Sequence, residues 1–259
     1  MSTTPKKELG QHFLADENIL GVIGRLAELD ADDVALEVGP GHGVLTSYHA
    51  DRVARVHAVE LDRSLERGLR EELGSRDNVD LHFGDALSLD LAALEPSPTK
   101  LVANLPYNIA TPLVAESIDG LPTLGSWCVM VQREVADRFF ARPRTKAYGA
   151  VSVLLQLAAE KTGFHPVSRN VFRPRPNVDS ALVAFRRRGR LPEDYARVKA
   201  VIGAAFAHRR KQLPNSIELA GLAPAEIVAG ALTTIGREPS ARAESLTPEE
   251  FVALTRALG

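Results

Sequence analysis

The chain has 259 residues, of which 45% are hydrophobic and 25% are charged, values that are ordinary for a globular protein with a sizeable core. Its one cysteine, Cys128, excludes an internal disulfide framework, and no apolar run approaches the roughly 20 residues of a membrane-spanning helix. Residues 1–7 lack the apolar region of a signal peptide, so we expect a cytoplasmic protein with no membrane contact.

The formal net charge of −2 conceals one strongly basic segment. Between Phe185 and Asn215 there are nine Lys and Arg residues but only two acidic residues. Such a segment on an otherwise acidic chain indicates a localised anion-binding face, with nucleic acid as the leading candidate partner. The alternative is a solvated helix surface that binds no ligand.

The first predicted helix follows Asp16, and the first predicted strand is Val34–Val38. This strand runs into Gly39-Pro-Gly-His-Gly43 and then into a segment that can form a helix from Val44. A strand, a glycine loop and a helix form a nucleotide-binding turn, because glycines let a ligand approach the backbone and the helix N-terminus supplies N–H donors. The spacing G-x-G-x-G differs from the G-x-G-x-x-G of dinucleotide enzymes, which argues against NAD.

The next two predicted strands lead into acidic residues. Val56–Glu60 places Glu60 about twenty residues after the glycines, where a carboxylate can accept both ribose hydroxyls of an adenosine cofactor. Val79–Phe83 leads to Asp85 and Ala86. We expect Asp85 to accept a hydrogen bond from the adenine amino group and the N–H of Ala86 to face the ring. An Asx turn at Asp85 is the structural alternative.

The fourth predicted strand ends in Asn104-Leu-Pro-Tyr-Asn108. This sequence offers the Asn104 amide, free backbone carbonyls and the ring of Tyr107 at the carboxyl edge of the sheet, where open α/β sheets bind ligands. Pro106 fixes φ and stiffens the turn. These groups suit a planar base with an exocyclic amine, since oxygens can accept its N–H groups and Tyr107 can stack on its ring. A half-buried tyrosine after a proline-terminated strand is the alternative.

The sequence Phe172-Arg-Pro-Arg-Pro176 predicts a stiff, extended loop, because two prolines are separated by one residue. Such a loop can hold Phe172 in a fixed place. We expect its ring to form a second aromatic wall for a base. The alternative is a loop phenylalanine that covers the core.

Four successive strands that each end in a ligand-binding candidate predict a right-handed, doubly wound, Rossmann-like α/β sheet. Later strands are predicted at residues 126–131, 158–164 and 180–186. The seven histidines show no metal-ligand spacing, so no metal site is expected.

After Arg190 the pattern changes to that of helices. The last helix is predicted to begin with a capping box formed by Thr247 and Glu250. We therefore predict a first domain over residues 1–188 and a small helical domain over residues 189–259.

Motifs of one known family occur along nearly the whole chain. They are Gly10-Gln-His-Phe-Leu14, Glu37-Val-Gly-Pro-Gly41, Val59-Glu-Leu-Asp62, Gly84-Asp-Ala-Leu87, Asn104-Leu-Pro-Tyr-Asn108, Val131-Gln-Arg-Glu-Val-Ala136, Lys146-Ala-Tyr-Gly149, Phe172-x-Pro-x-Pro-x-Val-Asp-Ser180, Phe206-x-x-Arg-Arg-Lys211, Asn215-Ser216 and Arg242-Ala-Glu-x-Leu246. On these motifs the chain resembles the ribosomal RNA adenine N6-dimethyltransferases, and most of all their bacterial small-subunit (16S) type.

The resemblance implies a class I methyltransferase domain that uses S-adenosyl-L-methionine as methyl donor. The cofactor-binding residues that it implies are His12, Leu14, Gly39, Gly41, Glu60, Asp85, Ala86 and Asn104. By position, His12 and Leu14 would border the cofactor, and the two glycines would pass beneath its methionine part.

The resemblance also implies the substrate, two adjacent adenines near the 3′ end of 16S rRNA in the small ribosomal subunit, and a monomeric enzyme. The residues that it places at the target base are Asn104, Leu105, Pro106, Tyr107 and Phe172. Accepting both amine protons, on the Asn104 side chain and the Leu105 carbonyl, would favour a pyramidal nitrogen aimed at the methyl group. The RNA contacts that it implies are Arg209, Arg210 and Lys211.

Four positions depart from the usual pattern of the family. His12 stands where Asn is more common, and Asn177 replaces a frequent Lys. Gln212 and Pro214 alter the run after the basic triplet. The cofactor contact of residue 12 and the RNA contacts after Lys211 are therefore the least defined by the resemblance.

Two rival functions share this fold. A 23S rRNA adenine methyltransferase of the macrolide-resistance type shares most motifs, but Leu105 and the segment Arg242-Ala-Glu-x-Leu246 favour the 16S type. A non-catalytic ribosome-assembly factor is the rival from another class, and the intact cofactor residues argue against it.

Overall fold

The computed structural model describes residues 11–16 and 18–259; Gly10, the first residue of one motif, lies outside them. The chain divides into two compact units, one of residues up to Ala136 with Lys161–Arg187, and one of Asp137–Glu160 with Arg188–Gly259. Residues 137–160 thus accompany the C-terminal segment, although the sequence prediction assigns them to the first domain. The functional boundary at residue 188 stays a prediction.

A seven-stranded mixed sheet forms the centre of the first unit. Its strands are β2 (Val34–Val38), β3 (Arg55–Glu60), β4 (Val79–Phe83), β5 (Lys100–Asn104), β6 (Ser126–Gln132), β7 (Ala159–Val167) and β9 (Ser180–Arg187). Two further short strands, β1 (Phe13–Leu14) and β8 (Phe172–Arg173), pair antiparallel with each other.

The strand order in the sheet is β4-β3-β2-β5-β6-β9-β7. The first five strands in this order are parallel, and β9 runs antiparallel to β6. All five residues of β2 are buried, as expected for a strand that is covered on both faces. The order reverses at β2, so the carboxyl edges of β2 and β5 form the topological switch point at which such sheets bind ligands. The predicted doubly wound Rossmann-like fold is confirmed.

The described residues form ten α-helices. They are α1 (Asn18–Ala27), α2 (Val44–Ala50), α3 (Glu66–Leu73), α4 (Ala110–Gly120) and α5 (Arg133–Phe139), followed by α6 (Ala150–Ala158), α7 (Tyr195–Ala207), α8 (Leu213–Leu219), α9 (Ala225–Thr234) and α10 (Pro248–Ala257). Among the described residues, none of these helices has the length and apolarity that crossing a membrane would need.

The core between α1 and the sheet contains Cys128. This cysteine is buried and free, and burial raises the pKa of its thiol to about 12. The thiol is therefore protonated at neutral pH and has the packing role of a small apolar side chain.

The second unit is helical. Helix α6 is almost entirely buried and packs against α7 and α10, which explains why residues 137–160 belong to this unit. Helix α10 begins with the predicted capping box, because the Thr247 side chain accepts from the Glu250 N–H and the Glu250 carboxylate accepts from the Thr247 N–H.

Candidate active site

One cleft lies at the carboxyl edges of the parallel strands in the first unit. Its lining comprises Gln11–Leu14, Glu37–His42, Val44, Leu45, Val59–Leu61, Gly84–Ala86 and Asn104–Ile109. Because the strands are ordered β4-β3-β2-β5, Asp85, Glu60, the glycine loop and Asn104 follow one another along this edge. All the predicted cofactor residues therefore line the same cleft.

The glycine loop approaches its neighbours too closely for side chains. Gly39 and Gly41 have φ angles of 79° and 61°, in the left-handed region. A Cβ atom at Gly39 would lie 3.0 Å from the ring of Pro106, and one at Gly41 would lie 2.7 Å from the ring of Phe13. The loop thus brings bare backbone to the cleft, between β1 and the turn after β5.

Glu60 is held at the end of β3 by backbone donors. Its carboxylate accepts from the Asp62 N–H at 2.8 Å and from the Gly41 N–H at 3.3 Å, and the residue is only 6% exposed. Burial raises the pKa of this carboxyl group, an effect that the backbone hydrogen bonds oppose. A carboxylate has about four lone-pair positions, so capacity remains to accept two ribose hydroxyls.

Asp85 and Ala86 lie at the adjacent edge, after β4. Asp85 is exposed, and its Oδ1 accepts from the Leu87 N–H at 2.9 Å, which is the Asx turn named as the structural alternative. Its Oδ2 makes no hydrogen bond with the described residues, and Ala86 is buried beside it. The turn and the predicted contact with adenine are compatible, because they use different carboxylate oxygens.

The Asn104 amide has a defined orientation. Its Nδ2 donates to the His12 carbonyl oxygen at 3.1 Å, which leaves Oδ1 as the acceptor in the cleft. The next residue, Leu105, is buried, and its N–H donates to the Met130 carbonyl, while its own carbonyl accepts no bond from the described residues. Two oxygens on consecutive residues are therefore free to accept the two protons of an amine.

Tyr107 is half-buried and anchored at its phenol. Its hydroxyl and the Ser180 hydroxyl form a hydrogen bond of 2.8 Å, and its ring lies 5.4 Å from the ring of His12. Burial raises the pKa of the Tyr107 phenol. The phenol is thus protonated at neutral pH and fixes the ring, rather than serving as a base.

Phe172 does not line the cleft. The residue is fully buried and packs in the core with Ile19 and Leu182, whereas its neighbour Arg173 is exposed. Strand alternation explains this, because pairing of β8 with β1 turns one side chain inward and the next outward. The structure does not support the predicted second aromatic wall, and the core-covering alternative describes this position.

The segment 11–14 covers one side of the cleft. His12 Nδ1 lies 2.8 Å from the Pro174 carbonyl, and Gln11 Nε2 donates to Asp62 at 2.9 Å. The rings of Phe13 and His42 lie 4.0 Å apart. Gln11, Phe13 and His42 belong to motifs identified in the sequence. His42 comes from the glycine loop after β2, whereas the positions of Gln11 and Phe13 on the cleft depend on pairing of β1 with β8, which no local pattern predicts.

In the second unit, hydrogen bonds join three loops that are distant in sequence, here called the basic loops: residues 142–148, 208–212 and 238–245. Arg209 donates to the carbonyls of Lys146 and Tyr148 at 3.1 and 3.0 Å. The Arg144 N–H donates to the Glu244 carbonyl at 2.8 Å. Their exposed cations are Arg142, Arg144, Lys146, Arg209, Arg210, Lys211 and Arg242. Four of these seven were not predicted as RNA contacts from the sequence, because only folding brings the loops together.

Another part of the basic segment has a structural role. Arg187 donates to the carbonyls of Ile118, Leu121 and Leu124, and its guanidinium lies 5.1 Å from the centre of the Trp127 ring. This arginine closes the end of β9 in the first unit. The charge count of residues 185–215 therefore overstates the number of cations that are available to a ligand.

The residues of the cleft fit an adenosine-containing cofactor with a charged amino-acid end. Asp85 and Glu60 offer acceptors for an amine and two hydroxyls, and the bare glycine loop leaves room for a ligand. Glu37 adds a buried carboxylate to the lining of the cleft. Among the described residues, no cluster of His, Cys, Asp and Glu could hold a metal ion.

A doubly wound sheet with these acceptors in this strand order, followed by Asn-x-Pro-Tyr, defines a class I methyltransferase. The sequence matches the family model of ribosomal RNA adenine dimethylases over residues 2–258, and the chain belongs to this family. Its cofactor is S-adenosyl-L-methionine, and it is an enzyme that acts on ribosomal RNA.

Three known proteins illustrate the similarity. Ribosomal RNA small subunit methyltransferase A of Rubrobacter xylanophilus is 49% identical over 252 residues, covering 97% of this chain and 94% of the relative. The crystal structure of the 23S rRNA methyltransferase ErmE is 30% identical, with a TM-score of 0.67, and the match covers 95% of this chain and 99% of that one. A dimethyladenosine transferase from Plasmodium falciparum has a TM-score of 0.73 at 21% identity, over 94% and 96% of the two chains, and supports the fold.

Proposed function

We propose that this enzyme transfers methyl groups from S-adenosyl-L-methionine to N6 of two adjacent adenines near the 3′ end of 16S rRNA, giving N6,N6-dimethyladenines during maturation of the small subunit. The observation that carries the proposal is the turn Asn104–Tyr107. Its two free oxygens and its anchored aromatic ring suit a planar base with an exocyclic amine. The relative that is 49% identical bears the name of a small-subunit enzyme, which favours 16S over 23S RNA.

The cofactor would lie along the edge of the sheet, with adenine at Asp85 and Ala86, ribose at Glu60 and the methionine part over Gly39 and Gly41. His12 and Leu14 would close this site from the segment 11–14. When bound, S-adenosylmethionine supplies an electrophilic methyl group.

The protein's own contribution is positioning and electrostatics. An adenine amine is a poor nucleophile because its lone pair is delocalised into the ring. Hydrogen bonds from its two N–H groups to Asn104 Oδ1 and the Leu105 carbonyl favour the pyramidal nitrogen of the transition state. Stacking on Tyr107 would fix the base, which has to leave its helix to enter the cleft. Pro106 holds the turn that carries both acceptors.

Residues 189–259 would contribute to RNA binding, with Arg209, Arg210 and Lys211 as the principal contacts. The basic loops support this, because they add Arg142, Arg144 and Lys146 to the same surface of the second unit. Phosphate contacts by such cations release counterions, so the affinity would fall with salt. We further propose that the protein is a cytoplasmic monomer that acts on the small ribosomal subunit.

The test is transfer of labelled methyl groups from S-adenosylmethionine to small ribosomal subunits that lack these modifications, with naked 23S rRNA in parallel. Label in 16S rRNA alone supports the proposal. Label in 23S rRNA alone would assign the protein to the macrolide-resistance type. Cofactor binding without label in either RNA would make an assembly factor the better explanation.

A further inference from the structure

A buried pair of polar side chains lies between the cleft and helix α2. Glu37, on β2, is 1% exposed, and His49, on α2, is fully buried. His49 Nδ1 lies 3.5 Å from Glu37 Oε2. Among the described residues, neither ring nitrogen of His49 nor Glu37 Oε2 has a hydrogen-bond partner. Buried polar atoms in native proteins are nearly always satisfied, so this pair requires an explanation.

Regular backbone geometry explains why these two side chains meet. Alternate residues of a strand share one face, and Ala35 of β2 packs against Ala50 and Val53. Glu37 lies two residues further along the same face. His49 directly precedes Ala50, so the helix that covers Ala35 also covers Glu37. An apolar side chain at position 49 would fit this packing, which makes the histidine unexpected there.

The pair points to the methionine end of the cofactor. Glu37 lines the cleft whereas His49 does not, so of the two residues only Glu37 can contact a ligand in the cleft. In the strand order β4-β3-β2-β5, β2 lies beyond the strands that carry Asp85 and Glu60, which the proposed function assigns to adenine and ribose. The cofactor group expected at β2 is therefore the amino-acid end, and its α-ammonium is a donor that suits a carboxylate.

We infer that His49 is a positioning residue, which donates from Nδ1 to Glu37 and thereby directs the carboxylate at the α-ammonium group of the cofactor. The inference rests on the proposed placement of S-adenosylmethionine in the cleft. The hydrogen bond requires Nδ1 and Oε2, which lie 3.5 Å apart, to approach to about 3 Å. The carboxylate then has a hydrogen-bond donor on both sides when the cofactor is bound, the imidazole behind it and the α-ammonium group in front.

The test compares two ligands by calorimetric titration. S-adenosylhomocysteine carries the α-ammonium group, whereas 5′-methylthioadenosine shares the adenosine part and lacks the amino acid. His49→Leu should weaken binding of S-adenosylhomocysteine about tenfold or more, the usual effect of losing a hydrogen bond to a charged group. Binding of 5′-methylthioadenosine should be unchanged. His49→Gln, which keeps a donor, should restore most of the lost affinity.

Two further variants keep the test decisive. Glu37→Gln should show the same selective loss, even if the leucine variant fails to fold. His57→Leu is the matched control, because His57 is a buried histidine of β3 outside the cleft and should affect both ligands alike. Equal losses of affinity for both ligands in the His49 and Glu37 variants would overturn the role of the pair but not the proposed cofactor site. Failure of the wild-type protein to bind S-adenosylhomocysteine would overturn the proposed cofactor site, and the inference with it.

Discussion

Replacement of Glu60 by Gln tests how the cleft binds the cofactor. The change keeps the shape of the side chain but removes its charge and converts one acceptor oxygen into a donor. The wild-type carboxylate already accepts from the N–H groups of Asp62 and Gly41. The amide cannot satisfy both N–H groups and two ribose hydroxyls. Loss of one charged hydrogen bond costs about 1.5 to 3 kcal/mol, so the Kd for S-adenosylhomocysteine should rise about 10- to 100-fold.

Calorimetric titration of wild-type protein, Glu60→Gln and Glu226→Gln measures this effect. Glu226 is exposed on α9 in the other unit and serves as the matched control. Thermal unfolding verifies that the variants are folded. An unchanged Kd in a folded Glu60→Gln protein would refute the assignment of Glu60 to the ribose.

The same residue gives the site a pH dependence. Burial raises the pKa of Glu60 above its usual value of 4.5, and ribose hydroxyls hydrogen-bond to the ionised form. Cofactor affinity should therefore increase as pH rises through the Glu60 pKa of the free protein, and Glu60→Gln should abolish this increase. The free energy of unfolding of the ligand-free protein should depend on pH in the opposite direction, because a raised pKa means that the folded state favours protonated Glu60. This stabilisation is fully present below the pKa of Glu60 in the unfolded chain, and it is lost as the pH rises through the pKa in the folded protein.

Three other changes are predicted. Asn104→Ala should lower the methyl-transfer rate by about 100-fold or more while cofactor binding is partly retained, as single-turnover kinetics and titration would reveal. Gly39→Ala should destabilise the protein by about 1 to 2 kcal/mol through its positive φ alone, more through contact with Pro106, and denaturant unfolding measures this. Charge reversal at Arg209–Lys211 should weaken RNA binding most at low salt. The slope of log K against log salt should fall by about 0.7 for each phosphate of single-stranded RNA that the variant no longer neutralises.

The controls for these changes follow from the structure. Gly230 is a helical glycine on α9 with nothing within 4 Å of an added Cβ, so Gly230→Ala should be neutral or stabilising. Arg209 also joins two of the basic loops, so its replacement can disturb folding as well as RNA binding. Charge reversal at Arg210 and Lys211 alone leaves these hydrogen bonds in place and tests RNA binding by itself. Normal RNA affinity in that double variant would show that Arg210 and Lys211 are not RNA contacts. Full activity of Asn104→Ala would equally exclude its amide from the reaction.

The sheet and the cofactor edge could be predicted from the sequence because both depend on local patterns. Largely apolar segments such as Val34–Val38 form buried strands wherever helices cover them, and the observed bounds of this strand are those predicted. In a parallel sheet every strand presents its carboxyl end on the same edge. Polar residues after successive strands, such as Glu60 and Asp85, therefore converge without further information.

The features that the sequence did not predict depend on tertiary packing. The burial of Phe172 follows from pairing of β8 with β1, which fixes the face that each side chain occupies. The basic loops are joined by hydrogen bonds between segments more than sixty residues apart, such as that from Arg209 to Lys146. The pair of Glu37 and His49 depends on the rotation of α2 over β2. Each of these needs the three-dimensional register, which composition and periodicity do not specify.

The most direct test of the central claim is the identity and position of the modified nucleosides in small-subunit RNA. Unmethylated small subunits would be incubated with S-adenosylmethionine and either wild-type protein or Asn104→Ala, and the RNA would be digested and analysed by mass spectrometry. The proposed function predicts N6,N6-dimethyladenosine at two adjacent positions near the 3′ end of 16S rRNA with wild-type protein, and its near absence with the variant. Methylation elsewhere, or dimethyladenosine formed equally well by Asn104→Ala, would contradict it.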